Sequence, residues 1–94
     1  MKIQPIDYLG EPTLSLRQLD SLNNFSKGTT FRLFKRFEHQ LELGRDYHYL
    51  PATVHAALIS QLKAQGYMYA SSQHLLLLTQ PGYQRLQALS RPQA

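Results

Sequence analysis

The chain has no cysteine and no long hydrophobic run. Among its 94 residues the absence of Cys excludes a disulfide framework, thiolate metal ligands and a cysteine nucleophile. The longest apolar run, Leu75 to Leu78, is far too short to cross a membrane. No apolar run follows Lys2, so the start does not have the pattern of a signal peptide. We therefore expect a cytoplasmic protein.

Acidic residues are also few, and the chain is basic as a result. Six Asp and Glu stand against ten Lys and Arg, for a formal net charge of +4 and a pI near 9.6. This balance favours an anionic partner, either nucleic acid or an acidic protein surface. The length, with 43% hydrophobic residues, predicts one domain over residues 1–94, with residues 1–5 and 91–94 frayed.

The basic residues concentrate in a predicted helix over residues 26–41. At about 100° per residue, one side collects the apolar positions Thr30, Leu33, Phe34, Phe37 and Leu41. The opposite side carries Gly28, Thr29, Arg32, Lys35, Arg36 and His39, and Glu38 and Glu42 fall on the flank. This face suits a phosphate backbone; the alternative interpretation is an ordinary solvated helix surface.

A second helix precedes it closely. Leu16 to Leu22 has helical spacing of leucines, with Ser15 as its N-cap. A turn over 23–25 follows, in which Asn24 tolerates positive φ, and Ser26 can cap the next helix. Two helices joined so closely predict a helix-turn-helix.

The rest of the chain alternates short strands and helices. Strands are predicted at 3–8 and 13–14 around a turn at Gly10-Glu11-Pro12, and at 46–50. A helix follows from Ala52 to about Gln65, with Pro51 suited to its first turn and Gly66 closing it. Residues 67–70 and 74–78 should pair as a hairpin, and Thr79 should cap a last helix with Pro81 in its first turn. The fold class is therefore α+β: a winged helix-turn-helix with small strands, four helices and a C-terminal β-hairpin wing.

Two stretches resemble known families. Leu19 to Phe34 is similar to the helix-turn-helix of excisionase-type and phage regulators, although Asn24 replaces the turn glycine and Thr30 an aliphatic residue. A wider likeness, from Ile6 to about Leu86, is to the amino-terminal DNA-binding domain of phage antirepressors of the KilA-N and BRO kind. Its most distinctive part is the run 44–49, Gly-Arg-Asp-Tyr-His-Tyr. The resemblance implies a sequence-specific double-stranded DNA-binding regulator of phage or mobile-element type.

The predicted DNA contacts lie on the second helix and at the hairpin tip. Lys27, Lys35 and Arg36 would neutralise phosphates, whereas Thr29 and Arg32 are better placed for base edges. The set is completed by Ser26, Gly28, His39, Ser71, Ser72, Gln73 and His74. We expect a homodimer on a two-part site. The alternative function is a protein-interaction module, an antirepressor or anti-activator that binds another regulator.

Other signals have simpler interpretations. The histidines His39, His48, His55 and His74 show no metal spacing, and we expect neither a metal nor a cofactor. Tyrosines 47, 49, 67 and 69 are either core residues or a base-stacking platform. The run Leu75 to Leu78 is either a buried central strand or part of a dimer interface. No catalytic set is recognisable, so we expect no enzyme.

Overall fold

The structure, a computed structural model, describes residues 4–91. Its elements in chain order are β1 (Ile6–Tyr8), β2 (Glu11–Ser15), α1 (Leu16–Leu22), α2 (Thr29–Phe37), a short 3-10 helix (Glu38–Gln40), β3 (Tyr47–Leu50), α3 (Ala52–Ala64), β4 (Leu75–Thr79) and α4 (Gln80–Ser90). The α+β class and the four helices are thus as predicted. None of these helices, within residues 4–91, has the length and apolar content needed to span a bilayer.

The four strands form one antiparallel sheet in the order β1-β2-β4-β3. Side chains alternate across β4, so that Leu75 and Leu77 join the cluster around α3, while Leu78 packs with α1, α2 and α4. All three of these leucines are almost fully buried. The leucine run is therefore the central strand of a three-layered core, as the first of its two interpretations predicted.

The predicted C-terminal hairpin is wrong. Residues 67–70 form no strand and belong to a loop between α3 and β4. Instead, β4 pairs with β3 over Leu75–Leu78 and with β2 over Leu77–Thr79. The backbone of the loop has other partners: Tyr67 N–H donates to the Leu62 carbonyl at 2.8 Å, and the Met68 carbonyl accepts from Arg17 Nη1 at 3.0 Å.

A hairpin does form at the other end of the chain. β1 and β2 pair around Leu9 and Gly10, whose φ values of 53° and 79° are those of a tight primed turn. The turn therefore precedes its predicted position, and Glu11 and Pro12 belong to β2. The part of the first strand that was predicted at Ile3, and the fraying of residues 1–3 and 92–94, lie outside the described residues.

Two helix starts agree with their predicted caps. The Ser15 hydroxyl accepts from Gln18 N–H at 3.2 Å, and the Gln18 side chain accepts from Ser15 N–H at 2.9 Å. This is a complete capping box. The Thr79 hydroxyl accepts from Gly82 N–H at 3.1 Å, and Pro81 lies in the first turn of α4.

Candidate functional site

The connection between α1 and α2 is longer than predicted. Asn24 adopts φ 56°, as its place in the turn required. However, α2 begins at Thr29 and not at Ser26, because Gly28 at φ 86° interrupts the helical backbone. The Ser26 hydroxyl lies 3.1 Å from the Thr29 hydroxyl and caps no backbone N–H. The predicted Ser26 cap is therefore wrong. The predicted helix over 26–41 is wrong at both ends, because α2 spans only Thr29–Phe37.

The start of α2 is instead held by Asp20 of α1. This carboxylate is only 2% exposed. It accepts from Gly28 N–H at 3.0 Å, from Thr30 N–H at 2.8 Å and from the Thr30 hydroxyl at 2.7 Å. The Tyr69 hydroxyl donates to it as well, at 2.6 Å. Sequence reasoning missed Asp20, although Thr30 on a buried face already required a polar partner.

Opposing effects act on the pKa of Asp20. Burial acts to raise it, but hydrogen bonds from Tyr69, from the Thr30 hydroxyl and from two backbone N–H groups together lower the pKa below its ordinary 3.8. Burial, and then the Asp20 carboxylate, raise the pKa of Tyr69 to about 12. At neutral pH the pair is therefore a carboxylate and a neutral phenol, which is the pairing that the hydrogen bond needs.

The outer face of α2 is exposed and basic. Arg32 and Arg36 lie four residues apart on α2, His39 lies in the 3-10 helix that follows, and all three are exposed. Neither arginine forms an ion pair with any residue between 4 and 91. Lys35 differs, because its Nζ lies 2.9 Å from Glu38 Oε1. Glu38, which was predicted on the flank of this face, is therefore close enough to pair with one of its cations.

The predicted contact residues fall into two groups. A groove of about 860 Å³ runs between α2, β3 and the loop that precedes β4. Its lining includes seven of the predicted contacts: Lys27, Gly28, Lys35, Ser71, Ser72, Gln73 and His74. The other five, Ser26, Thr29, Arg32, Arg36 and His39, are not part of the lining. The loop thus lies beside α2, as its predicted role required, although it is not a hairpin.

His74 anchors that loop. Its Nδ1 accepts from Ala52 N–H at 3.0 Å, which caps the start of α3, and its ring lies 5.6 Å from that of Tyr49. Because Nδ1 accepts, the proton of the neutral ring is on Nε2. His48 Nε2 lies 3.4 Å from Glu11 Oε1. Within residues 4–91 no three or more His, Asp or Glu side chains are grouped closely enough to hold a metal.

The tyrosines have separate roles. Tyr47 packs edge-on against Phe34 at 4.9 Å, and Tyr67 packs on the α3 cluster, so the core interpretation is confirmed for both. Tyr69 binds Asp20 and lines the groove. Tyr49 is 47% exposed and also lines the groove.

The run 44–49 has a structural role, because Asp46 within it bonds to both Glu42 and Thr79. Asp46 is buried, and its carboxylate accepts from Glu42 N–H at 2.8 Å. Its carbonyl accepts from Thr79 N–H at 3.1 Å, which connects the turn before β3 to the start of α4.

No protein-family model, curated protein or solved structure matches the chain. The resemblance to excisionase-type and antirepressor domains therefore stays a prediction.

Proposed function

We propose that this chain is a sequence-specific double-stranded DNA-binding regulator, of the phage or mobile-element type that its sequence resembles. One observation carries the proposal. Arg32 and Arg36 are exposed on a helix whose start is fixed by the buried Asp20, His39 is exposed in the 3-10 helix that follows, and within residues 4–91 both arginines are without a carboxylate partner. Exposed guanidinium groups that have no carboxylate partner are suited to phosphate and guanine.

In this proposal α2 lies in the major groove of the duplex. Its nine residues are about 14 Å long, comparable with the width of that groove. Thr29 and Arg32, in the first turn, face the base edges, and Arg32 grips guanine through two hydrogen bonds. Arg36 and His39 contact phosphates. Lys35 contributes less than its charge suggests, since Glu38 neutralises it.

The loop beside α2 replaces the predicted hairpin wing. Ser71 and Gln73 are exposed, and both border the groove next to Lys27. We propose that they donate hydrogen bonds to the DNA backbone. A single short reading helix covers few base pairs, so we also propose that a homodimer binds a two-part site.

The test measures binding to a pool of random duplexes by fluorescence anisotropy over a series of salt concentrations. The bound sequences are then selected and identified. Arg32→Ala and Arg36→Ala should each lower the slope of log affinity against log salt by about 0.9 for every phosphate that the arginine neutralises in the wild type. If Arg32 reads guanine, its removal should also relax the preference at one position. Lys63→Ala is the matched control: it removes the same charge from α3, on the opposite face of the sheet, and should bind as the wild type does.

Three outcomes decide the matter. An enriched motif with two related halves supports both specificity and the dimer. Salt-sensitive binding without enrichment contradicts a sequence-specific role. No binding at low salt rules out a DNA regulator, and the alternative of a module that binds another regulator then becomes the proposal to test.

A further inference from the structure

The groove beside α2 has a basic end and an apolar end. At the basic end the Tyr69 ring lies between two cations, with Arg17 Cζ at 5.4 Å and Lys27 Nζ at 5.1 Å from its centroid. Neither cation forms an ion pair with any residue in 4–91. Asp20, the acid beneath them, is already engaged by four hydrogen bonds. Its single negative charge remains, so two cations against one carboxylate leave this end with a net positive charge.

Large apolar side chains surround the other end. Phe31 of α2 is 47% exposed, Tyr49 of β3 is 47% exposed, and Leu43 of the intervening loop is 63% exposed. All three line the groove, above a floor that includes Phe34 and Leu76. Apolar side chains gathered from three separate elements and bordered by charges are typical of an interaction site.

We propose that this groove binds a peptide segment of a partner protein that carries large apolar side chains next to Asp or Glu. The unpaired cations supply the charge complementarity for the acids, and the floor accepts the apolar side chains. A small molecule seated on the floor would leave the exposed rim residues uncovered. The groove follows α2 from Gly28 to Glu38, a rise of about 15 Å, which matches about five extended residues or three turns of helix.

Peptide binding can be tested separately from DNA binding, although Ser71 and Gln73, which we propose to contact DNA, also line this groove. Phe31 and Lys35 of α2, and Glu38 of the 3-10 helix that follows, form a row that faces the groove. Arg32, Arg36 and His39 form the neighbouring row and lie outside the lining. The two rows can therefore be altered separately.

The test uses a phage-displayed library of random 12-residue peptides, selected on the whole chain. The enriched peptides are synthesised with a fluorescein label and titrated by anisotropy. We expect sequences in which Asp or Glu flanks large apolar residues. Leu43→Glu, on an exposed loop, and Phe31→Glu should each weaken binding at least tenfold. Val54→Glu is the matched control, because Val54 is 73% exposed on α3 and should leave binding unchanged. Circular dichroism verifies that each variant is folded.

Other results would overturn the proposal. Enrichment of basic or uncharged peptides would contradict the charge argument, and equal binding to folded Leu43→Glu would place the peptide elsewhere. Tighter binding of a labelled 12-residue oligothymidylate, abolished in Leu43→Glu, would make single-stranded nucleic acid the occupant. A wild-type dimer that Leu43→Glu dissociates would make a second copy of the chain the occupant. Arg32→Ala should bind the selected peptides normally, which separates this proposal from that of DNA binding.

Discussion

Replacing Asp20 with Asn should destabilise the protein strongly with little change in side-chain shape. The amide oxygen can still accept from the N–H and the hydroxyl of Thr30, which both bind Oδ1. The amide nitrogen would then take the place of Oδ2, which now accepts from Gly28 N–H and from the Tyr69 hydroxyl. Tyr69 can turn its hydroxyl and accept instead. The N–H of Gly28 cannot turn, and it would face another donor.

The magnitude follows from these four bonds. A partly buried N–H left without an acceptor costs about 1–3 kcal/mol. The three remaining bonds lose their charge assistance, at about 1 kcal/mol each. Part of this loss is offset, because a neutral amide is cheaper to bury than a carboxylate. We expect a decrease of about 3 kcal/mol in the free energy of unfolding, a large fraction of the total for a small domain.

The assay is urea unfolding at pH 7, followed by circular dichroism. Asp7→Asn is the matched control: Asp7 is exposed on β1, and its replacement should change the free energy of unfolding by less than about 0.5 kcal/mol. Thr30→Val removes one donor from the cap and should cost about 1–2 kcal/mol. Amide hydrogen exchange at Gly28 and Thr30 reports whether the start of α2 opens. An Asp20→Asn protein as stable as the Asp7→Asn control would refute the argument that this carboxylate holds α2.

Three further predictions concern stability, each measured by the same unfolding assay. Because the pKa of Asp20 in the folded protein lies below 3.8, its contribution to the free energy of unfolding is fully present above that value and is lost as the pH falls through the folded pKa. The difference in free energy of unfolding between wild type and Asp20→Asn should therefore be constant above about pH 5 and shrink below pH 4. A difference that is unchanged at pH 2 would contradict this. Leu9→Asn should raise the free energy of unfolding by about 1 kcal/mol, because Leu9 is 81% exposed at φ 53° and Asn tolerates that backbone conformation better. A loss of stability would show that the contacts of the Leu9 side chain outweigh the backbone strain. Gly82→Ala should lower the free energy of unfolding by about 3 kcal/mol, since a Cβ there would lie 1.7 Å from the Asp46 carbonyl oxygen. Gln84→Ala, at an exposed position on the same helix, should leave it almost unchanged, and equal stability of the two variants would contradict the argument.

What the sequence predicted well was local in origin. The caps at Ser15 and Thr79 each involve partners within three residues, so their chemistry can be read directly from the chain. The buried face of α2 follows from helical spacing alone: Thr30 and Phe34 are buried as expected, and Leu33 and Phe37 are half-buried. Leu41 is buried too, but it lies beyond the helix in extended backbone. The start of α2 was mispredicted because its cap comes from another helix, eight to ten residues earlier in the chain.

The remaining errors have tertiary causes. Residues 67–70 have strand-like composition, but their backbone bonds to Leu62 and to Arg17, the latter close only in the folded chain, and the partners of β4 are β2 and β3. The basic end of the groove brings Arg17, Lys27 and Tyr69 together from three distant parts of the chain, and no spacing predicts that. The Lys35–Glu38 ion pair is different, because a spacing of three residues on a helix is a signal that the sequence itself carries.

The position of β4 also bears on how the chain folds during synthesis. Of the four strands of the sheet this one is synthesised last, yet it lies in the middle, between β2 and β3. Until residues 75–79 emerge, the hairpin β1–β2 and the strand β3 have no backbone partner in common, and the apolar faces of α1, α2 and α3 have no shared surface to cover. Native contacts between distant parts of the chain therefore form late and together. A nascent chain that stops before residue 75 should be unable to fold, and it should depend on chaperones until synthesis resumes.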